Sequence, residues 1–379
     1  MSFKGHFSEF FRANPDRLHF AAHSHHPWPD VTLEAHTRYW HDSARLADDK
    51  WDLIFGEIVP ETSAMIAAVL GLSDPSSITF APNTHDFLVR IFSCLEPPVR
   101  ILATNSEFHS FTRQSRRWEE EGLAIVDRVK TEPFDTFEER FRAQVEAGVH
   151  DLIYVSSVFY DSGYPIDGLN DLVASVPNES TFVVIDGYHQ FMARPTDLAR
   201  VEKRAFFLAG GYKYAMAGEG VCFLHGPPGY GIRPVDTGWY AGFGQLEAGV
   251  GSKISFNDDG SRFAGATYDP SGVYRLNAVL KWFSELGIGP GDVHRHVAAL
   301  QGRFLESEPG LGELIPAPDA DRGSFLTFRS PDAGDHYQRL HDAGVITDYR
   351  GDRLRIGFGI YHDKADVDRL AGLISDLTG

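Results

Sequence analysis

The chain has 379 residues, 42% of them hydrophobic and 23% charged, a composition that suits a folded enzyme and argues against disorder. That length exceeds one comfortable core, so a large and a small domain are expected. Thirty-five Lys and Arg against 53 Asp and Glu leave a net charge of −18, which repels a phosphate backbone and argues against nucleic acid as a partner. Two cysteines, Cys94 and Cys222, are too few for a disulfide framework and point to a reducing compartment. No stretch approaches the roughly 20 consecutive apolar residues that span a bilayer, and the opening MSFKGHFSEFFRANPDR has no apolar h-region. The expectation is a cytoplasmic enzyme with no membrane partner.

Residues 1–30 read as an irregular arm rich in His and Pro (HFAAHSHHPWPD), expected to join the active site and small domain, followed by amphipathic helices over 31–47 and 50–70. Short apolar runs bounded by turn residues come next: ITFAP (78–82), VRILATN (99–105), LAIVDRV (123–129), DLIYVSSVF (151–159), TFVVID (181–186), AFFLAG (205–210) and GVCFLH (220–225). Between several of them lie helical stretches such as FTRQSRRWEEEG, FEERFRAQVEAG and IDGLNDLVASV. Apolar strands alternating with helices require a sheet buried on both faces. Residues 31–270 are therefore expected to form a large α/β domain with a mostly parallel sheet between helices. A Gly-rich stretch (228–266) leads to a long helix over 270–287 and a second around 293–307. Then FLTFRS, a helix near DHYQRLHDAG, VITDYR, RLRIGFG and a last helix (364–377) read as a compact α+β unit, so residues 271–379 are assigned to the small domain.

Polar residues just past the C-terminal ends of strands converge on the ligand crevice of such a sheet. ITFAP ends in Asn83-Thr84-His85 and runs into a helical pattern. Thr84 there is either an ordinary cap or a hydroxyl beside free N–H groups, a ready anion site. TFVVID ends in Asp186, then Gly187-Tyr188-His189; a carboxylate closing an apolar strand needs a cation, structural or functional. The next strand ends at Gly210-Gly211, then Tyr212-Lys213-Tyr214. An isolated lysine is usually a surface residue, but an anion-binding turn, a strand-end Asp and a Lys on the following strand form a set. That set suits pyridoxal phosphate, which needs an amine for a Schiff base, a carboxylate to keep its ring nitrogen protonated, and donors for its phosphate. Lys213, once displaced by substrate, becomes a free amine able to shuttle protons.

DGYHQ followed by GGYKYAMAGEGVCFL resembles the D-x-x-H and S-Y-K-Y-x-x-G-G-P-G signatures of fold-type I pyridoxal-phosphate enzymes of aminotransferase class V, and within them the kynureninase subgroup. The resemblance runs from the arm to Arg355. It implies a Schiff base at Lys213, Asp186 on the pyridine nitrogen, His189 near the ring oxygen, and phosphate contacts from Tyr212, Asn83, Thr84 and Trp239 (in GWYAGF). Phe108, in SEFHSF, matches the phenylalanine that stacks on the ring, with His109 as the alternative. Thr267, in FAGATYDPSG, resembles the segment that reaches the phosphate of the neighbouring subunit, which implies a homodimer with shared active sites. Arg355, in DRLRIGFGIYH, matches the arginine that grips the α-carboxylate of an amino-acid substrate, as a planar guanidinium does bidentately.

Departures fall at the substrate end. Where kynureninases follow the stacking phenylalanine with Pro-Thr-Asp, this chain has His109-Ser110-Phe111, without the acid. The N-S-L-G segment of the substrate arm is replaced by His23-Ser24-His25-His26, of which His23, Ser24 and His25 are candidate substrate contacts. Ser157 and Asp161 stand where a histidine and a basic residue are usual. No cysteine follows Cys222, which excludes the desulfurase nucleophile, and Cys222 within VCFL reads as core. A zinc site at His23, His25 and His26, with Asp186 and His189, is disfavoured: an extended HSHH points His26 away from the other two, and no H-E-x-x-H spacing exists. No metal is expected. Kynureninase-type hydrolysis is the first expectation for the reaction, with transamination as the alternative.

Overall fold

The structure is a computed structural model that describes residues 2–248, 253–317 and 320–378, with backbone alone for 244–248 and 377–378. The arm carries helix α1 (Ser8–Ala13) and strand β1 (Leu18–His19); α2 (Val31–Leu46), α3 (Lys50–Leu53) and α4 (Val59–Leu70) follow. The large domain runs β2 (Ile78–Ala81), α5 (Thr84–Phe92), β3 (Val99–Thr104), α6 (His109–Glu120), β4 (Ala124–Val129), α7 (Phe137–Glu146) and β5 (Leu152–Ser156), then α8 (Leu169–Ala174), β6 (Phe182–Asp186), β7 (Ala205–Gly210) and β8 (Cys222–His225). Beyond a stretch of 3-10 turns come α9 (Ser271–Leu286), α10 (Pro290–Leu305), β9 (Glu313–Ile315), β10 (Phe325–Arg329) and α11 (Ala333–Asp342), and finally β11 (Val345–Ile346), β12 (Asp348–Arg350), β13 (Arg353–Gly357) and α12 (Lys364–Thr378).

Seven strands form the large sheet in the order β2-β8-β7-β6-β5-β3-β4. The pairs from β7 through β4 are parallel, and β8 alone runs against both its neighbours. The apolar strands are buried on both faces: Ile153, Val155, Val183, Ile185 and Phe207 point into one core, Leu152, Val184, Phe206 and Leu208 into the other. β5 stops at Ser156 rather than at 159 because the chain folds back, with Val158 bridging Pro165.

The small sheet is antiparallel, in the order β12-β13-β10-β9. β9 was not expected; three residues are too short for a periodic signal. The arm, expected to be irregular, is tied to this part of the chain: β1 pairs with β11 in parallel, and Ala21 bridges Gly357. Phe20 is fully buried, with its ring stacked on His362 at 4.2 Å and edge-on to Phe358 at 5.4 Å.

Although Glu57, Pro60 and Glu61 interrupt its apolar residues, the helical run Val31–Leu70 contains an 18-residue window, mean hydropathy 1.6, long and apolar enough to cross a membrane by length and composition. Here α4 packs on α9, with Ile66, Ala67 and Leu70 buried, which is the ordinary use of such a helix in a core.

Phe20→Ala removes the ring that packs the arm on Phe358 and His362, in the segment between β13 and α12. It is expected to cost about 3–5 kcal/mol, measured as the drop in unfolding free energy by denaturant titration.

Candidate active site

The parallel strands deliver their C-terminal ends to one side of the sheet, and a cavity of 440 Å³ opens there. Its wall includes Thr84 and His85 from α5, Phe108 before α6, Ser156 at the end of β5, Asp186 at the end of β6, and Tyr212-Lys213 after β7. Gly210 makes the last of these possible, since a Cβ there would collide with the Tyr188 hydroxyl and the Cys222 sulfur.

Lys213 is 4% exposed. Its Nζ lies 2.7 Å from His189 Nε2 and within 4.9–5.8 Å of the Tyr188, Phe108 and Tyr212 ring centres. No carboxylate is within ion-pair distance of it among the described residues. Burial pushes its pKa down to about 7, opposed by Asp186 and assisted by Arg355. His189 is driven well below its ordinary value by burial and by Lys213, and its Nδ1 has no partner. The 2.7 Å contact is therefore a hydrogen bond between the amine and a neutral imidazole rather than a meeting of two cations.

Asp186 accepts from the Tyr188 amide on Oδ1 (3.0 Å) and from the Tyr154 hydroxyl on Oδ2 (2.8 Å). Burial raises its pKa, so it would hold a proton or a cation more readily than an exposed carboxyl. A second buried acid, Glu107, lies close by. Its Oε1 accepts from the Thr104 hydroxyl (2.7 Å), and its Oε2 from the Ser156 amide (3.0 Å) and hydroxyl (2.5 Å). The chain lacks an acid in the three residues after Phe108 but has this one immediately before it. Nothing in Asn105-Ser106-Glu107 distinguishes it from an ordinary polar turn.

Phe108 and His109 separate cleanly. Phe108 faces the cavity, whereas His109 begins α6, is exposed, and lines a neighbouring groove with His85, Arg113 and Arg116. Asn83, not Thr84, is the cap of α5: its side chain accepts from the Asp86 amide at 3.0 Å. Thr84 is thereby freed to present its hydroxyl to the cavity. Trp239 and Thr267 are joined to each other, indole N–H to hydroxyl at 3.0 Å, and neither lines the cavity of its own chain.

Arg355 is buried but already paired. Nη2 donates to Asp348 Oδ2 at 2.7 Å, Nη1 donates to the Tyr160 carbonyl, and Nε has no partner. The register of the β12–β13 hairpin puts Asp348 directly across from Arg355, a pairing that the R-G-D-R turn between them would have signalled.

The arm is a turn, not an extended strand, because the Ser24 and His25 amides both donate to the Ala21 carbonyl. The expected alternation therefore fails: His23 and His26 are buried and His25 is exposed. His23 stacks on Phe325 at 4.7 Å, lies 4.0 Å from Asp348, and has neither ring nitrogen partnered. His25 stacks on Tyr212 at 5.3 Å. Ser24 contacts His25 at 3.2 Å. Among the described residues no cluster of His, Cys, Asp and Glu could hold a metal.

Residues 27–370 match the sequence profile of aminotransferase class V. Isopenicillin N epimerase of Streptomyces clavuligerus is 25% identical, over 93% of both chains. Kynureninase of Deinococcus radiodurans is 26% identical, over 66% of this chain and 62% of its own. Among solved structures, the apo cysteine desulfurase of Thermococcus onnurineus superposes with a TM-score of 0.81, covering 97% of both chains at 15% identity, a likeness of fold. Fold and cavity define a pyridoxal-phosphate-dependent enzyme of fold type I. The chain belongs to aminotransferase class V, and its cofactor is pyridoxal phosphate. The donor set fits the group: a buried amine without an acid partner, a carboxyl that favours a cation, and a free hydroxyl at a helix N-terminus.

Burial lowers His19 to about 4 and His26 to about 3, and holds His23, His189 and His362 well below the ordinary histidine range. Below about pH 6.5 the unfolded chain takes protons that the folded chain refuses, so stability falls with pH. The cofactor-free protein is expected to lose up to about 1.4 kcal/mol per pH unit for each such histidine. Denaturant unfolding at a series of pH values checks this; a stability unchanged between about pH 7 and about pH 5 contradicts it.

Proposed function

We propose that the cofactor is tied to Lys213 and that the enzyme hydrolyses the Cβ–Cγ bond of a kynurenine-like amino acid, giving an aryl acid and alanine. The observation that carries the site assignment is the Lys213 amine, buried, near neutrality in its proton affinity, and set between His189 and the cavity. When bound, the cofactor supplies an aldehyde for that amine and a heterocycle that stores the electron pair left when a bond at Cα breaks. Lys213 takes a proton at Cα and returns it, with His189 sharing the load on the same nitrogen. Asp186 keeps a proton at the ring nitrogen. Thr84 and the first N–H groups of α5 bind the phosphate, and Phe108 covers the ring. Arg355 orients the substrate α-carboxylate, which takes the unpartnered Nε and displaces Asp348. His23, Ser24 and His25 on the arm meet the substrate side chain.

Trp239 and Thr267, joined on one surface outside their own cavity, reach the phosphate of the partner in a homodimer. The charge of −18 and two free thiols support a cytoplasmic enzyme that binds neither nucleic acid nor membrane. Desulfurase chemistry is disfavoured: burial raises both Cys94 and Cys222 to about 12, and no cysteine follows Cys222.

A second reading confines the chemistry to Cα, as epimerisation or transamination. It is favoured by the likeness to isopenicillin N epimerase across 93% of the chain and by the histidine arm.

Borohydride treatment of the loaded protein is expected to fix the cofactor on Lys213, read by peptide mass spectrometry. Lys213→Ala is expected to lose the yellow colour and at least about 10³-fold in turnover. Incubation with kynurenine should release anthranilate fluorescence. Inverted amino-acid configuration, or a keto acid with an aminated cofactor, in place of anthranilate selects the second reading.

A further inference from the structure

The large sheet splits where β3 and β5 part. Their ladder pairs Ile101 with Leu152 and Leu102 with Ile153 and goes no further. From that point the strand order runs outward both ways, to β4 on one side and to β6 and β7 on the other, which is where an open α/β sheet offers its ligand crevice. Glu107 fills the split. It is 1% exposed, and its three hydrogen bonds from Thr104 and Ser156 tie the two diverging strand ends together. Ser156 in turn lies opposite Asp186 in the β5–β6 ladder and lines the cavity. Among the described residues no cation pairs with Glu107.

We propose that Glu107 is a positioning residue for the cofactor: acting through Ser156 and on Asp186, it sets how much negative charge the cavity wall carries. With Glu107 protonated, Asp186 is the one buried acid beside the ring, the other carboxylate on the cavity wall being the exposed Glu219; with Glu107 ionised a second buried negative charge stands behind Ser156, and protons on the cofactor and on Lys213 are held more tightly. The inference rests on the reading that the cofactor sits at Lys213. Burial raises Glu107 to about 8, against the hydrogen bonds it accepts and with the help of Asp186, so the change falls within the working range of pH. The other titratable groups of this network are Tyr154 on β5, whose phenol donates to Asp186 and is raised far above its ordinary value by burial and by both acids; Asp161, which accepts from the Ser106 hydroxyl; and Lys213, facing Asp186.

Glu107→Gln keeps the shape and the contact with Ser156 but removes the titration. In the loaded full-length protein, the pH midpoint of the cofactor's visible band is expected to fall by about one unit, because the second negative charge no longer appears at alkaline pH. The cofactor-free protein gives an independent reading. Folded Glu107 keeps a proton that the unfolded chain releases above about pH 4.3, so the contribution of Glu107 to wild-type stability is lost as pH rises toward about 8. The melting temperature of Glu107→Gln should therefore gain on wild type between about pH 6 and about pH 9. If Glu107→Gln does not fold, Ser156→Ala is titrated instead and must move the midpoint of the band. A midpoint unchanged from wild type overturns the proposal. Failure of the wild type to show any band overturns the Lys213 reading instead, and this inference with it.

Discussion

Removing the Lys213 ammonium from water is the constraint on which the rest of the site depends. A lysine enclosed by Tyr188, Phe108 and Tyr212, with an imidazole for its nearest polar neighbour, gives up its charge more easily than it would at the surface. The sheet makes this enclosure affordable by placing the amine at the end of β7, where Gly210 lets Tyr188 and Cys222 close beneath it. Asp186 supplies the opposing field without forming an ion pair, so burial prevails and the amine's proton affinity stays lowered.

The same logic of enclosed charge extends outward. Asp348 sits between Arg350 (2.6 Å) and Arg355 (2.7 Å), with His23 4.0 Å away. Arg355 is thus a buried guanidinium that already has a partner in Asp348, with only its Nε left without one. The arm completes the enclosure: β1 on β11 and Phe20 on His362 hold the turn that buries His23 while leaving His25 over Tyr212.

Much of this was legible in the sequence, for physical reasons that differ by residue. Asp186 stands out because it closes an apolar strand, and Lys213 because it follows the glycine exit of the next one between two tyrosines; together they form a set that neither makes alone. The mostly parallel sheet follows from strands apolar on both faces, and AFFLAG coincides with β7 residue for residue. What escaped was tertiary. Glu107 lies in a polar turn whose burial comes only from the parting of β3 and β5. The facing of His23, His25 and His26 depended on whether the arm is extended or turned, which the two amides bonded to Ala21 decide. Arg355 reads as a free clamp until the hairpin register brings Asp348 across from it.

The proton affinity of Lys213 tests the account most directly. Competitive labelling of the cofactor-free protein with a small acylating reagent, across pH and read at the Lys213 peptide, yields the titration midpoint of that one amine. The account predicts a midpoint near 7. A midpoint at the ordinary lysine value of about 10.4 would show the amine to be a solvated cation and would contradict it.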